Sequence, residues 1–518
     1  MAVRFSNSVS ESASSSSRLS ERRRESGESV RHRKRSSRED AGAKLGRGIQ
    51  DLLGWWLVVL LVFAPWAYGT TFPDTKHWLA EALCALGPLF VVSLIVRRRW
   101  PRVNWVSILL SFAVLGYGWF MTWNAKLVYD PDLFYFHPGS PPMPWLAGTV
   151  DQQTSATQMW LITGLVCAFW VAADLSAHER WRSRFWLVLS LTGVSIVVLG
   201  LAQRLTNAPG IFWRLDLDCG PSFFATYRYH ANAGAYINII FPLVAAQCIA
   251  SFRSKSRELM RPFWFLATVA VLVSAFVNVS RAASVITLCL FILFAAHQLF
   301  EVCRTRRLKG KGLIVVLAVL AVVAVGVLVW VVGFGASYQR WVDPRYNIAN
   351  DARFTAYDVI KQQLIPVTGW WGLGAATFHL VFPFFTSGYG KQIMGYWEYA
   401  HEDYLQTLIE WGFCGTVLWG LFFGNNFLRG FWAFLNRQRI WDGSTRAFAM
   451  ACLLSVASVL AHGAIDFPMQ IASLQLYTCV VLALLASLRY ADQQRIRRFH
   501  PEASSDGVAS DPQQKGME

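Results

Sequence analysis

Apolar runs of about 20 residues alternate along this chain with short polar segments, many of them arginine-rich. The runs fall at 52–69, 77–96, 103–123, 158–175, 185–203, 233–252, 263–279, 282–300, 312–333, 411–428, 447–463 and 471–488. A helix of about 20 apolar residues crosses the hydrocarbon core of a bilayer. The pattern therefore predicts an all-α polytopic membrane protein with about twelve transmembrane helices. Composition agrees: of 518 residues, 54% are hydrophobic and 15% charged, where a soluble domain carries about a quarter charged residues.

The polar segments divide the chain further. Residues 1–48 are rich in Ser, Arg and Glu with almost no aromatics, a composition that cannot bury enough surface to fold alone. They read as a disordered cytoplasmic tail that retains the N-terminus inside, or that serves regulation or a lipid surface. The first apolar run begins near Leu52, too far in for a cleavable signal peptide. Residues 49–333 carry spans one to nine, 334–410 form a large loop, 411–490 carry spans ten to twelve, and 491–518 form a second cytoplasmic tail.

A net charge of +16 raises the possibility of a nucleic-acid partner, and its location argues against one. Residues 1–48 hold twelve Lys/Arg against six Asp/Glu. The segments 97–102, 179–184, 253–261, 304–311, 429–446 and 489–498 together hold 24 Lys/Arg. The alternate loops hold one at 70–77, one at 124–157, three at 204–232 and none at 464–470. This is positive-inside patterning. It sets both termini in the cytoplasm and the 334–410 loop outside. The nine cysteines are scattered, mostly in apolar runs, and no CxxC occurs, so neither a disulfide framework nor a zinc site is expected.

The large loop has its own order. Asn350 or Asp351 can cap a helix that the pattern runs to Pro366, with Phe354, Tyr357, Leu364 and Ile365 on one apolar face. Such a helix would lie on the membrane surface. A second helix is expected over about Glu398–Glu410, with His401, Leu405 and Leu408 on one face and Gly412 at its exit. Arg353 can bind anionic phosphate, and His401 can take a proton near neutral pH. Arg281 sits in the short turn VNVSRAAS between spans seven and eight. A lone arginine there either snorkels to headgroups or belongs to a site.

HEDYL has leucine where a zincin has histidine. Asp216-Leu217-Asp218 and Asp130-Pro131-Asp132 have the outline of a DxD metal site. Both fall in outward loops, however, and magnesium there needs substrate phosphates as co-ligands. No metal and no cofactor is assigned. Gly372-Leu373-Gly374 reads as a tight turn.

Together the segments DARFTAYDVIKQQLIP, GWWGLGAATF and AHEDYLQTLIEWGFCG resemble the signature region of the O-antigen ligase/O-antigen polymerase superfamily. SRAA at 280–283 and HGAIDFPMQ at 462–470 resemble that family's short outer turn and last outer loop. Two departures stand out. Glu402 occupies the place of the expected asparagine, with Asp403 and Tyr404 following, and the asparagine motif before span six is degenerate around Asn232.

The resemblance implies transfer of a glycan from a polyprenyl-diphosphate carrier to a glycan or lipid acceptor hydroxyl, without metal, beside membrane lipids. Arg281 and Arg353 would stabilise the diphosphate leaving group with bidentate donors. His401 would be the general base. Glu402, Asp403 and Tyr404 would line the substrate site, Glu402 or Asp403 orienting the imidazole. The rivals are a polymerase of the same superfamily and a transporter. Against transport, Glu81, Asp174 and His297 lie near span ends rather than at the midplane.

Overall fold

The computed structural model describes residues 44–215, 222–304, 326, 351–390, 393, 395–437 and 440–499. The expected span over 312–333 and the DxD at Asp216–Asp218 lie outside them. Among the described residues, eleven helices are long and apolar enough to cross a membrane, so the protein is a mostly helical, multi-pass membrane protein.

The chain forms two compact units. Of the described residues, the smaller holds 44–53 and Pro88–Trp100. It contains the start of α1 (Lys44–Trp66) and most of α3 (Leu86–Arg97), and in it the Arg97 Nε donates to the Ser93 carbonyl at 3.1 Å. The larger, Gly54–Gly87 and Pro101–Glu518, holds everything described below.

Its helices are α2 (Pro73–Cys84), α4 (Trp105–Trp123), α5 (Gln152–Ser176), α6 (Glu179–Leu205), α7 (His230–Arg253), α8 (Arg261–Val277), α9 (Arg281–Arg304), α10 (Ala352–Val359), α11 (Asp403–Arg437), α12 (Gly443–Gly463) and α13 (Ala472–Phe499). Helices α7 and α13 are central: 89% of the most apolar window of each is buried, against 22% for α9. Helix α7 lies against α12, α8, α9 and α6, while α13 lies against α5, α11 and α12. Pro242 sits inside α7, where it removes a backbone donor. Neighbours supply donors to the carbonyls around it. Ser455 Oγ donates to the Ile239 carbonyl at 2.6 Å and Trp186 Nε1 to that of Leu243 at 2.9 Å. Such side-chain donors let a proline persist in a helix away from water.

The 124–151 segment contains an element the apolar pattern did not predict. Strand β1 (Leu127–Asp130) pairs antiparallel with β2 (Tyr135–Pro138), Leu127 opposite Pro138. Asp130 Oδ1 accepts from the Asp132 and Leu133 amides at 2.9 and 3.1 Å and so closes the turn. The Leu133 amide first, then those of Asp132 and the His137 ring, hold its carboxyl below the usual carboxylate range. The carboxylate of this DxD is thus engaged in building a hairpin.

The large loop also departs from expectation. Asp351 does cap α10, its side chain accepting from the Arg353 amide at 3.1 Å. Pro366 does not end the helix: a π turn over Ile360–Leu364 carries it into Ile365–Thr368, and Gly369, at φ 58°, ends it. Its buried face is Ala356, Val359, Ile360 and Leu364, packed with Phe378, Phe382 and Ala400, while Phe354 is half-exposed. The helix therefore packs on a core made by the loop itself, to which Tyr129 and Phe136 of the hairpin contribute.

Candidate functional site

The starts of α7, α9, α11 and α13 and the end of α12 gather at one end of the bundle. Asp466, in the 464–471 connection between α12 and α13, is the hub. Its backbone amide donates to the His462 carbonyl at 2.9 Å, which aims the side chain inward, and the side chain is only 5% exposed.

Asp466 brings His401 and Arg353 together. His401 Nδ1 lies 3.3 Å from Asp466 Oδ1. A carboxylate only accepts, so Nδ1 carries the proton of this hydrogen bond. The Arg353 Nη1 is 3.7 Å from Asp466 Oδ2. Tyr229 closes the set: its hydroxyl accepts from Arg353 Nη2 at 2.6 Å and donates to Asp466 Oδ2 at 3.3 Å. Arg353 Nη1 also donates to the Ile465 carbonyl at 3.3 Å, and Asp351 lies 3.8 Å from Nε.

The electrostatics follow from burial and partners. Burial opposes the charge of Asp466, but the His401 hydrogen bond and the Arg353 charge outweigh it and hold the carboxyl below its ordinary range. Burial likewise opposes the charge of Arg353. Asp466 and Tyr229, with smaller contributions from Asp351 and Tyr357, outweigh it and hold the guanidinium charged. Burial, then the Asp466 charge, pushes the Tyr229 phenol well up, so it remains a neutral donor.

The His401 ring is held from several sides. Phe467, Trp397 and Tyr229 meet it edge-on at centroid distances of 4.8, 5.4 and 6.1 Å. Its carbonyl accepts from the Tyr357 hydroxyl at 2.6 Å, which ties His401 to α10. Its backbone is left-handed, φ 57°, a conformation that costs a non-glycine residue about 1–3 kcal/mol. His401 is therefore not on the helix, contrary to expectation. Helix α11 begins at Asp403, and His401 occupies the bend before it, where the ring reaches Asp466 rather than sharing a face with Leu405 and Leu408.

Arg281 opens α9 after a turn in which Val279 takes φ 67° and Ser280 Oγ accepts from the Ala283 amide at 3.3 Å. Asn278 Nδ2 donates to the His230 carbonyl at 2.8 Å. This links the Arg281 turn to the residue that follows Tyr229.

The three residues after His401 hold the site's frame. Glu402 Oε2 accepts from the Leu405 amide at 2.5 Å, capping the first turn of α11, and burial raises its carboxyl. Asp403 is buried and accepts from the Met469 amide at 2.9 Å and Gln470 Nε2 at 3.2 Å, which pins the Asp466 connection to α11. The Tyr404 hydroxyl donates to the Leu460 carbonyl at 2.7 Å. The carboxylate beside the imidazole is thus Asp466, where the sequence pointed to Glu402 or Asp403.

The glycine-rich stretch positions the helix that follows. Leu373 and Gly374 amides donate to the Ile409 and Glu410 carbonyls at 3.0 and 2.8 Å, and the Cys414 amide to that of Trp370 at 3.0 Å. Gly372 (φ 79°) and Gly412 (φ 61°) meet back to back, and a Cβ on either would collide with the other's backbone. Gly412 is thus a kink within α11 rather than its exit.

Sequence reasoning named His401 and Arg353 but not the roles of Asp466 and Tyr229. The signal available was Asp466 itself, the lone acid of HGAIDFPMQ in a short loop otherwise without Lys, Arg, Asp or Glu. Compared with known proteins, the chain matches no family model and no curated protein.

Proposed function

We propose that this protein transfers a glycan from a polyprenyl-diphosphate carrier to an acceptor hydroxyl on the outer face of a bacterial inner membrane, in the manner of an O-antigen ligase. The observation that carries the reading is the carboxylate of Asp466 shared between His401 and Arg353. A histidine oriented through Nδ1 presents Nε2 to an acceptor hydroxyl and removes its proton as the oxygen bonds to the anomeric carbon. The bond from that carbon to the diphosphate breaks, and the carrier leaves as polyprenyl diphosphate. Asp466 stabilises the imidazolium that forms, as a carboxylate partner does in a hydrolase triad. Arg353, joined by Arg281, offers planar bidentate donors to the diphosphate as its charge grows.

The motif resemblance and the arginine-poor character of the loops at this end support the same reading. The test is the glycan chemistry of membranes from cells lacking the protein. Ligation predicts polymerised glycan retained on the lipid carrier. Accumulation of single unpolymerised units would instead indicate a polymerase, and unchanged glycans would contradict both.

A further inference from the structure

The turn that follows the helical run begun by α10 reaches into the depth of the membrane. Helix α4 has 19 residues, about 28 Å at 1.5 Å per residue. Nearly its whole length is therefore needed to cross a hydrocarbon core about 30 Å thick. Tyr117 lies about 9 Å along α4 from its end at Trp123, within that core. Its hydroxyl donates to the Trp371 carbonyl. The Cys414 amide, inside the membrane-length helix α11, donates to the Trp370 carbonyl at 3.0 Å. Two spans thus hold Trp370 and Trp371 below the level at which α4 ends.

Non-helical backbone persists at such depth only where protein satisfies it, and here protein does. The Gly372 amide donates to the Thr368 carbonyl at 3.0 Å, and the Leu373 and Gly374 amides donate to α11 beside its kink at Gly412. The side chains of the tryptophan pair, by contrast, are exposed. The Trp370 ring meets Phe413 edge-on at a centroid distance of 5.1 Å. Phe413, Val417 and Leu421 recur one turn apart along α11, and all three are exposed. Trp370 therefore continues the apolar stripe that α11 presents to the bilayer, and Trp371 stands next to it.

We infer that the Trp370–Trp371 turn is a re-entrant anchor whose partner is phospholipid, at the ester and upper acyl region of the leaflet on the candidate site's side. Depth and continuity with the α11 stripe select lipid over a protein partner. Tryptophan suits this boundary, because its ring is apolar and its indole N–H can donate to an ester carbonyl. The inference goes beyond the glycan-transfer reading and does not need it. The helical run from Ala352 to Thr368 carries Arg353 at one end and this anchor just past the other. Lipid contact at the turn thereby fixes how the arginine sits over the bilayer.

The test uses the purified full chain in nanodiscs of phosphatidylethanolamine and phosphatidylglycerol. One probe is a phospholipid with a diazirine near the ester end of an acyl chain, and the other is a water-soluble, membrane-impermeant diazirine. The ratio of lipid to aqueous labelling at 366–374 should fall within about threefold of that at 413–421. It should exceed by at least tenfold that of the hairpin, whose turn exposes Asp132. A ratio equal to the hairpin's overturns the inference. So does protection from both probes, which would place a second copy or another protein on the turn. The paired substitution Trp370→Glu, Trp371→Glu should lower lipid labelling of 366–374 at least fivefold and raise amide hydrogen exchange there. Trp370→Phe with Trp371→Phe should keep both within about twofold. Equal loss from the two pairs, or no loss from the glutamates, overturns the inference. Should the glutamate pair fail to fold, the wild-type ratio and the phenylalanine pair still decide.

Discussion

In the proposed reaction Asp466 is the residue where orientation, charge and proton transfer meet, and it separates the roles of its neighbours. A general base contributes typically 10²–10⁴-fold. His401→Ala should lower turnover by that order while donor binding changes little. Asp466→Asn should lower turnover about 10²-fold with KM nearly unchanged, because an asparagine amide can hold the ring in the wrong tautomer. Arg353→Lys should raise donor KM and lower turnover together, since an ammonium cannot make the planar pair. The pH dependence of stability has a defined sign. A carboxyl depressed in the folded state stabilises fully above its unfolded pKa of about 3.9, and that contribution disappears as pH falls through the lower folded value. The stability gap between wild type and Asp466→Asn should therefore shrink as pH falls below about 4 in chemical unfolding. His401 and Arg353 were legible because their chemistry is rare beside apolar runs. The Asp466 partnership was not, because 65 residues separate it from His401 and no periodicity links the two.

At the scale of elements, local signals succeeded where one residue dictates the backbone and failed where tertiary contact did. Asp351 was legible as a cap. The passage of α10 through Pro366 was not, because the π turn before it accommodates the proline and the buried Ile360 and Leu364 reward continuation. The start of α11 was misplaced because Glu398–His401 carry helix-compatible residues, yet Tyr357 and Asp466 hold His401 in a bend. Gly372 and Gly412 give the sharpest prediction here. Gly372→Ala needs both φ 79° and space already filled by Gly412, and should destabilise the protein by about 2–4 kcal/mol. Thermal unfolding checks it, and an unchanged transition would show that the two segments separate readily.

For the whole molecule, the twenty-residue apolar period carried nearly all the architecture: every described span overlaps a run read from the sequence. The β-hairpin escaped because four-residue strands leave no periodic trace against so apolar a background. The orientation expected from the arginine-rich loops is open to labelling. Cysteines introduced at the exposed positions Asp132 and Gly388 should react with an impermeant maleimide from outside, and those at the exposed Glu179 and Glu258 should not. The reverse pattern would invert the site's side of the membrane. The central claim, that Asp466 poises His401 for glycan transfer, is tested most directly by release of polyprenyl diphosphate from a lipid-linked glycan by purified protein in the presence of acceptor. Wild type should release it in step with glycosylated acceptor, His401→Ala and Asp466→Asn should be slowed by at least about 10²-fold, and all three should bind donor alike. Wild-type rates from either variant would show that the pair is structural and contradict the account.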